Sequence, residues 1–235
     1  MPKPHAESHS DSSNSRLNAL RAAVLGANDG IVSVAGIVVG VAGATSSKTT
    51  ILTAGVAGLV AGALSMAAGE YVSVSSQRDT ERSLLAKEKA ELRENPDEEL
   101  IELEEMYRER GVTAATAKQV AKELTAHDAF AAHAEVELKI DPNDLNNPWH
   151  AAIASALSFF VGALIPLAVI LAVPSRVNVL ATFIAVLVAL TLTGYLSAHY
   201  GDANKTRAIW RVVIGGAIAM AATYGIGLLV GIHGV

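Results

Sequence analysis

Apolar residues fall into five long runs along this chain, and the charged residues gather in one block between the second run and the third. The runs cover residues 22–44, 51–74, 151–173, 177–200 and 208–232. Asn28 and Asp29 interrupt the first, and Glu70 sits inside the second. One helical crossing of a bilayer needs roughly 20 apolar residues, so each run is long enough to span. Between them, residues 77–147 are charged and helix-favouring, with breaks at Asn95-Pro96, Gly111 and Asp141-Pro142. The pattern predicts an all-α integral membrane protein. Five transmembrane helices carry a three-helix acidic cytoplasmic domain between helices 2 and 3. The expected divisions are a disordered polar tail over residues 1–18, helices 1 and 2 within 19–76, the acidic domain over 77–147, and helices 3 to 5 within 148–235.

The first helix of the acidic domain should continue out of the second span to about Glu94. Pro96 near the start of the next helix and Gly111 just past its end suit those positions. Thr113 is a candidate N-cap for a third helix running to about Ile140. Large apolar residues are few in this domain, Leu84, Ile101 and Leu103 among them, so its core should be thin. A second copy of the chain or a bound metal would help stabilise it.

Composition sharpens this picture. Hydrophobic residues make up 51% of the chain and charged ones 17%. Residues 78–144 hold 18 of the 23 acids and 10 of the 18 bases, a local balance of −8. No basic patch stands out, so nucleic acid is not an expected partner. Cysteine is absent, which excludes disulfides and thiolate sites. The first 18 residues lack the apolar core of a cleavable signal. His5, Glu7, His9 and Asp11 in that tail read as solvated. Five spans put the termini on opposite sides. Lys3, Arg16, Arg21, Lys205, Arg207 and Arg211 fall on one side, and Lys48 and Arg176 on the other. The richer side should be cytoplasmic, placing the N-terminus and the acidic domain there. With no organelle sorting signal evident, the chain reads as a multi-pass protein of a bacterial inner membrane.

Small residues four apart, Gly36 with Gly40 and Gly58 with Gly62, permit close helix contact in lipid. They suit tight packing within one chain or a seam between two.

The candidate chemistry is carboxylate chemistry. Asp29 and Glu70 are acids within spans, where charge is costly and marks a cavity or a partner. A place at headgroup level is the plainer alternative for each. Met66 lies four residues before Glu70 on the same helical face. A thioether beside carboxylates suits iron(II), manganese(II) and later transition metals better than magnesium or calcium. In the acidic domain Glu88 and Glu91, Glu99 and Glu102, and His133 and Glu137 each share a helix face. Helical bundles build carboxylate metal sites from such pairs. A solvated acidic face gives the same pattern, and Glu98, Glu102, Glu105 and Glu109 form a second stripe. No phosphate-binding Gly-Lys-Ser/Thr loop and no Gly-x-Ser-x-Gly elbow occurs. Neither an organic cofactor nor an enzyme activity is therefore expected. Rival readings are a membrane-anchored iron-binding, ferroxidase-like protein and a partner-binding protein without transport. The Glu-x-x-His pairs of di-iron bundles are missing from the sequence.

Three stretches carry a resemblance: Gly26-Ala27-Asn28-Asp29-Gly30-Ile31-Val32-Ser33, Ser65-Met66-Ala67-Ala68-Gly69-Glu70-Tyr71-Val72-Ser73, and Gln77-Arg78-Asp79. They resemble the vacuolar iron transporter family from about Leu20 to the C-terminus. The resemblance implies a homodimer in lipid with an ion path between the first spans of the two subunits. It implies export of cytosolic iron(II), often with manganese(II), in exchange for protons; zinc(II) and cobalt(II) are further candidate substrates. It places Asp29 and Met66 on the path. It assigns metal binding in the acidic domain to Glu88, Glu91, Glu99, Glu102 and Glu137, with His133 standing where the family has a methionine. The helix-two register leaves Glu98 and Glu105 as an alternative pair.

Overall fold

The computed structural model describes residues 12–232, all helical apart from short connections. Helix α1 is Ser12–Ala44, α2 Lys48–Glu94, α3 Pro96–Glu109, α4 Ala114–His133, α5 Pro148–Ala172, α6 Asn178–Tyr200 and α7 Lys205–Ile232. Among the described residues five helices are long and apolar enough to cross a membrane, within Leu20–Ala44, Lys48–Glu94, Pro148–Ala172, Asn178–Tyr200 and Lys205–Gly231. Helix α1 begins at Ser12, inside the stretch expected to be a polar tail. His5, Glu7, His9 and Asp11 lie outside the described residues. Helix α2 has 47 residues. Its apolar part ends near Val74, and the remainder, residues 75–94, is polar.

Two compact units emerge, one from Ser73–Asn147 and the other from Arg16–Val72 with the chain from Pro148 onward. In the second unit α1 is the centre. One of its faces sends Val34, Val38 and Val39 against Ile51 and Leu59 of α2 and Phe159 and Leu167 of α5. Another sends Ile31 and Ala35 against Val186 and Leu190 of α6 and Met220 of α7. Large apolar side chains such as Leu64, Leu157, Leu180 and Ile218 point outward and are more than half exposed. That is the surface a helix bundle presents to lipid, where burying apolar side chains brings little gain and close packing decides contacts.

Close packing here is backbone against backbone. A Cβ on Gly26 would come 2.5 Å from the Ser155 carbonyl oxygen, and one on Gly30 would overlap the Phe159 carbonyl. Gly162 meets the Ala27 carbonyl in the same way, and Gly227 meets that of Gly40. The four-apart glycines pack within one chain: Gly36 and Gly40 against Thr223 of α7, Gly58 against Ile37, and Gly62 against the Phe159 ring. Carbonyls cannot swing aside as side-chain ends can. Gly30→Ala should therefore cost about 3 kcal/mol, the upper part of the range for overpacking, or prevent assembly. Gly215→Ala, with nothing within 4 Å of the added carbon, should be harmless. Thermal unfolding of both variants in one detergent checks this; equal melting of the two would refute it.

In the unit Ser73–Asn147, Pro96 opens α3, and Gly111 follows it with φ +91°, a turn conformation that suits glycine. Thr113 caps α4, its hydroxyl accepting from the Thr116 N–H at 3.4 Å. The core is thin: Leu103, Ala121, Ala132 and Val136. Leu84 and Ile101 are exposed at 40% and 66%, so it is thinner still than the sequence suggests. The last helix is not continuous to Ile140. It breaks at Asp128, with φ −159° and ψ 95°, where the Asp128 carboxylate accepts from the Ala131 N–H at 2.9 Å. A short acid competing for backbone N–H groups ends one helical segment and caps the next. After His133 the chain widens into a π-turn, Ala134–Leu138, and Lys139 closes it in the left-handed conformation. Arg110 donates to the Val136 carbonyl inside that turn at 2.8 Å.

Candidate metal centre

Glu88 of α2, Glu99 of α3 and His133 at the end of α4 converge inside the unit Ser73–Asn147. One ligand atom from each lies within 4.8 Å of the others, and all three residues are buried. His133 is 0% exposed, and its Nδ1 stands 3.1 Å from Glu88 Oε1, 3.6 Å from Glu99 Oε2 and 3.7 Å from Glu137 Oε2. Despite the short distances, His133 Nδ1 and Nε2 and Glu88 Oε1 make no hydrogen bond of proper geometry. Their lone pairs and N–H groups do not point at one another. Buried polar atoms left this way are rare and call for an explanation. Crowding around a common point is the arrangement a cation would require.

The electrostatics agree. Burial, then the neighbouring Glu137, Glu99 and Glu91, push the Glu88 carboxyl from its ordinary 4.5 to about 7. Glu99 is raised as well, first by burial and next by Glu102, with His133 acting the other way. Buried acids that repel one another hold protons in the absence of a cation and release them to bind one. Glu91 and Glu102 are more exposed than Glu88 and Glu99. Glu91 lies 3.0 Å from Lys87 through its carboxylate. Neither is among the three whose ligand atoms converge, and the charge of each raises a neighbour, Glu91 at Glu88 and Glu102 at Glu99. The π-turn places Glu137 beside His133, and π-turns inside helices are frequent at functional sites.

The membrane acids have their own surroundings. Asp29 is half-buried in α1, and its Oδ1 accepts from the Ser33 hydroxyl one turn on at 2.6 Å. Asn28 accepts from Thr193 of α6 at 2.7 Å. Glu70 is buried at 8% exposure, with Arg21 of α1 3.8 Å away through Nη2. Met66 is half-buried against the cluster that holds Phe159.

The profile of the VIT family matches residues 20–228 of the chain. The chain belongs to the VIT family. It is 46% identical over 211 residues to a vacuolar iron transporter of Acanthamoeba castellanii, covering 89% of this chain and 78% of that one. It is 40% identical over 217 residues to vacuolar iron transporter homolog 1 of Oryza sativa subsp. japonica, covering 92% and 75%. Vacuolar iron transporter homolog 2.1 of Arabidopsis thaliana is 35% identical over 230 residues, covering 97% and 89%. With its spans, membership of the VIT family makes the chain a multi-pass membrane protein and a transport protein rather than an enzyme.

Sequence reading missed the partners of the membrane acids in this VIT-family chain. Ser33, four residues after Asp29, was visible as a same-face neighbour. Arg21 entered only as a topology charge, because its pairing with Glu70 joins two helices and leaves no local trace.

Proposed function

We propose that this chain is a divalent metal ion transporter that exports iron(II) or manganese(II) from the cytosol in exchange for protons, acting as a homodimer. The observation that carries the reading is the buried convergence of Glu88, Glu99 and His133, in which Glu88 Oε1 and both His133 ring nitrogens lack an aligned partner. The relatives named as vacuolar iron transporters support iron as a cargo. One imidazole among carboxylates suits iron(II), manganese(II) and zinc(II) better than calcium or magnesium. Glu88, Glu99, His133 and Glu137 take up metal, with Glu91 and Glu102 adding negative charge around them. Asp29, Met66 and Glu70 then handle the ion within the bundle. Protons from the far side protonate these carboxylates and weaken their hold on the metal, since a ligand must be deprotonated to bind. Lys and Arg distribution supports a cytoplasmic N-terminus.

Purified protein in liposomes tests this. Iron(II) and manganese(II) entry should rise with an imposed pH gradient, and the ratio of the two fluxes should name the preferred cargo. Flux no greater than that of empty liposomes, from folded protein, would remove the reading.

A further inference from the structure

Within the unit that holds the spans, α1, α6 and α7 line an open pocket of about 390 Å³. Arg21 of α1 and Arg211 of α7 line it together, with Asn28 and Ser197 as polar neighbours and Val24 and Val212 among its apolar walls. The geometry points to a binding site for a phosphate-bearing anion, held by the two guanidiniums, with the headgroup of an anionic phospholipid as its source.

Both arginines line the same pocket, which makes its potential positive, and the guanidinium fork matches phosphate oxygens in pairs. Arg21 retains donors for such a ligand. It has five N–H groups, its side chain is 61% exposed, and Glu70 approaches only one of its nitrogens, at 3.8 Å, among the described residues. Helix α7 adds to the field. Its first turn carries Lys205 and Arg207, and the Asn204 side chain caps it by accepting from the Arg207 N–H at 3.0 Å. The positive end of the helix dipole lies at that turn.

The surroundings favour a lipid over an ion from solution. Leu25, in the lining, is 49% exposed. Trp210 and Tyr200 are 59% and 66% exposed. Exposed tryptophan and tyrosine at the end of spanning helices belong at headgroup level. Lys205 Nζ lies 5.2 Å from the centre of the Tyr195 ring, which joins the basic and aromatic groups in one belt. An amphiphile would thus place its phosphate between Arg21 and Arg211 and its chains along an apolar wall.

Thermal unfolding and native mass spectrometry of the delipidated full chain test this. The additions are phosphatidylglycerol, phosphatidylcholine or inorganic phosphate in the same detergent. Phosphatidylglycerol should raise the melting temperature and remain bound through desolvation, and phosphatidylcholine should do neither. Arg211→Gln should weaken phosphatidylglycerol binding about fivefold, as should Arg21→Gln, the effect of one basic charge at an anionic surface. Arg176→Gln, on the opposite loop, should leave it unchanged. Arg211→Lys, which keeps the charge, should recover part of the binding and serves if the glutamine variants fail to fold. Equal stabilisation by inorganic phosphate, lost in the same variants, would keep the anion site and assign it to a soluble ligand. Equal binding of the two lipids without an effect of phosphate, or binding unchanged in both arginine variants, would overturn the proposal.

Discussion

Replacing Asp29 by alanine is expected to reduce metal flux in liposomes to the level of empty vesicles. A carboxylate within a spanning helix is expensive and is retained where it meets an ion or a proton. Asp29 is half-buried, and its Oδ1 accepts a 2.6 Å hydrogen bond from Ser33. That bond orients the carboxylate and leaves its second oxygen for a cargo. Alanine removes charge and ligand at once. Ser33→Ala should lower flux only a few-fold, because it loosens the carboxylate without discharging it. Metal binding by the Glu88, Glu99 and His133 cluster of the full-length protein should be unchanged in both variants, which separates lost transport from lost folding. Flux in Asp29→Ala at the wild-type rate would exclude this residue from the path.

Glu88→Gln should have two opposite effects. Metal affinity should fall by at least the 10- to 100-fold (about 1.4 to 2.7 kcal/mol) that follows loss of a residue supporting a metal site, since a charged ligand is replaced by a neutral one. The metal-free protein should become more stable at pH 8. The reason is the sign of the proton linkage. The folded chain holds the Glu88 carboxyl near 7, above its ordinary 4.5. Folding thus favours the protonated acid, and this contribution is complete below about 4.5 and lost as the pH rises through about 7. A tenfold change in proton affinity corresponds to about 1.4 kcal/mol. Solvent screening in so small a domain lowers the full conversion, leaving a loss on the order of 2 kcal/mol. Glutamine has no charge to bury and escapes it. Melting curves of wild type and variant between pH 4 and pH 8, with and without manganese(II), read both effects. A variant that melts below wild type at pH 8 without metal, or binds manganese(II) as tightly, would refute the assignment of Glu88 to the centre.

These two predictions draw on different amounts of sequence information. The spans were legible because 20 apolar residues in a row have few other uses. The ends of α3 were legible because Pro96 and Gly111 are punctuation with a steric cause. Helical spacing also brought out Glu88 with Glu91 and Glu99 with Glu102 as same-face pairs. It had no means of choosing which member of each pair turns inward. That depends on how α2, α3 and α4 meet at His133, where Glu88 and Glu99 are buried while Glu91 and Glu102 stay nearer solvent. The break at Asp128 was hidden for a related reason. An aspartate within a run of alanines reads as a solvated helix position until its carboxylate is seen accepting from the Ala131 N–H.

The glycine contacts of α1 bear on motion. Where Gly30 lies against the Phe159 carbonyl and Gly40 against Gly227, no layer of side chains separates the helices, so neither can shift without backbone striking backbone. Helix α1 is thereby clamped to α5 on one flank and α7 on the other. These three behave as a fixed frame, with Asp29 mounted on it. If Asp29 carries cargo as proposed, access to it from either side of the bilayer changes by motion of the other helices against this frame.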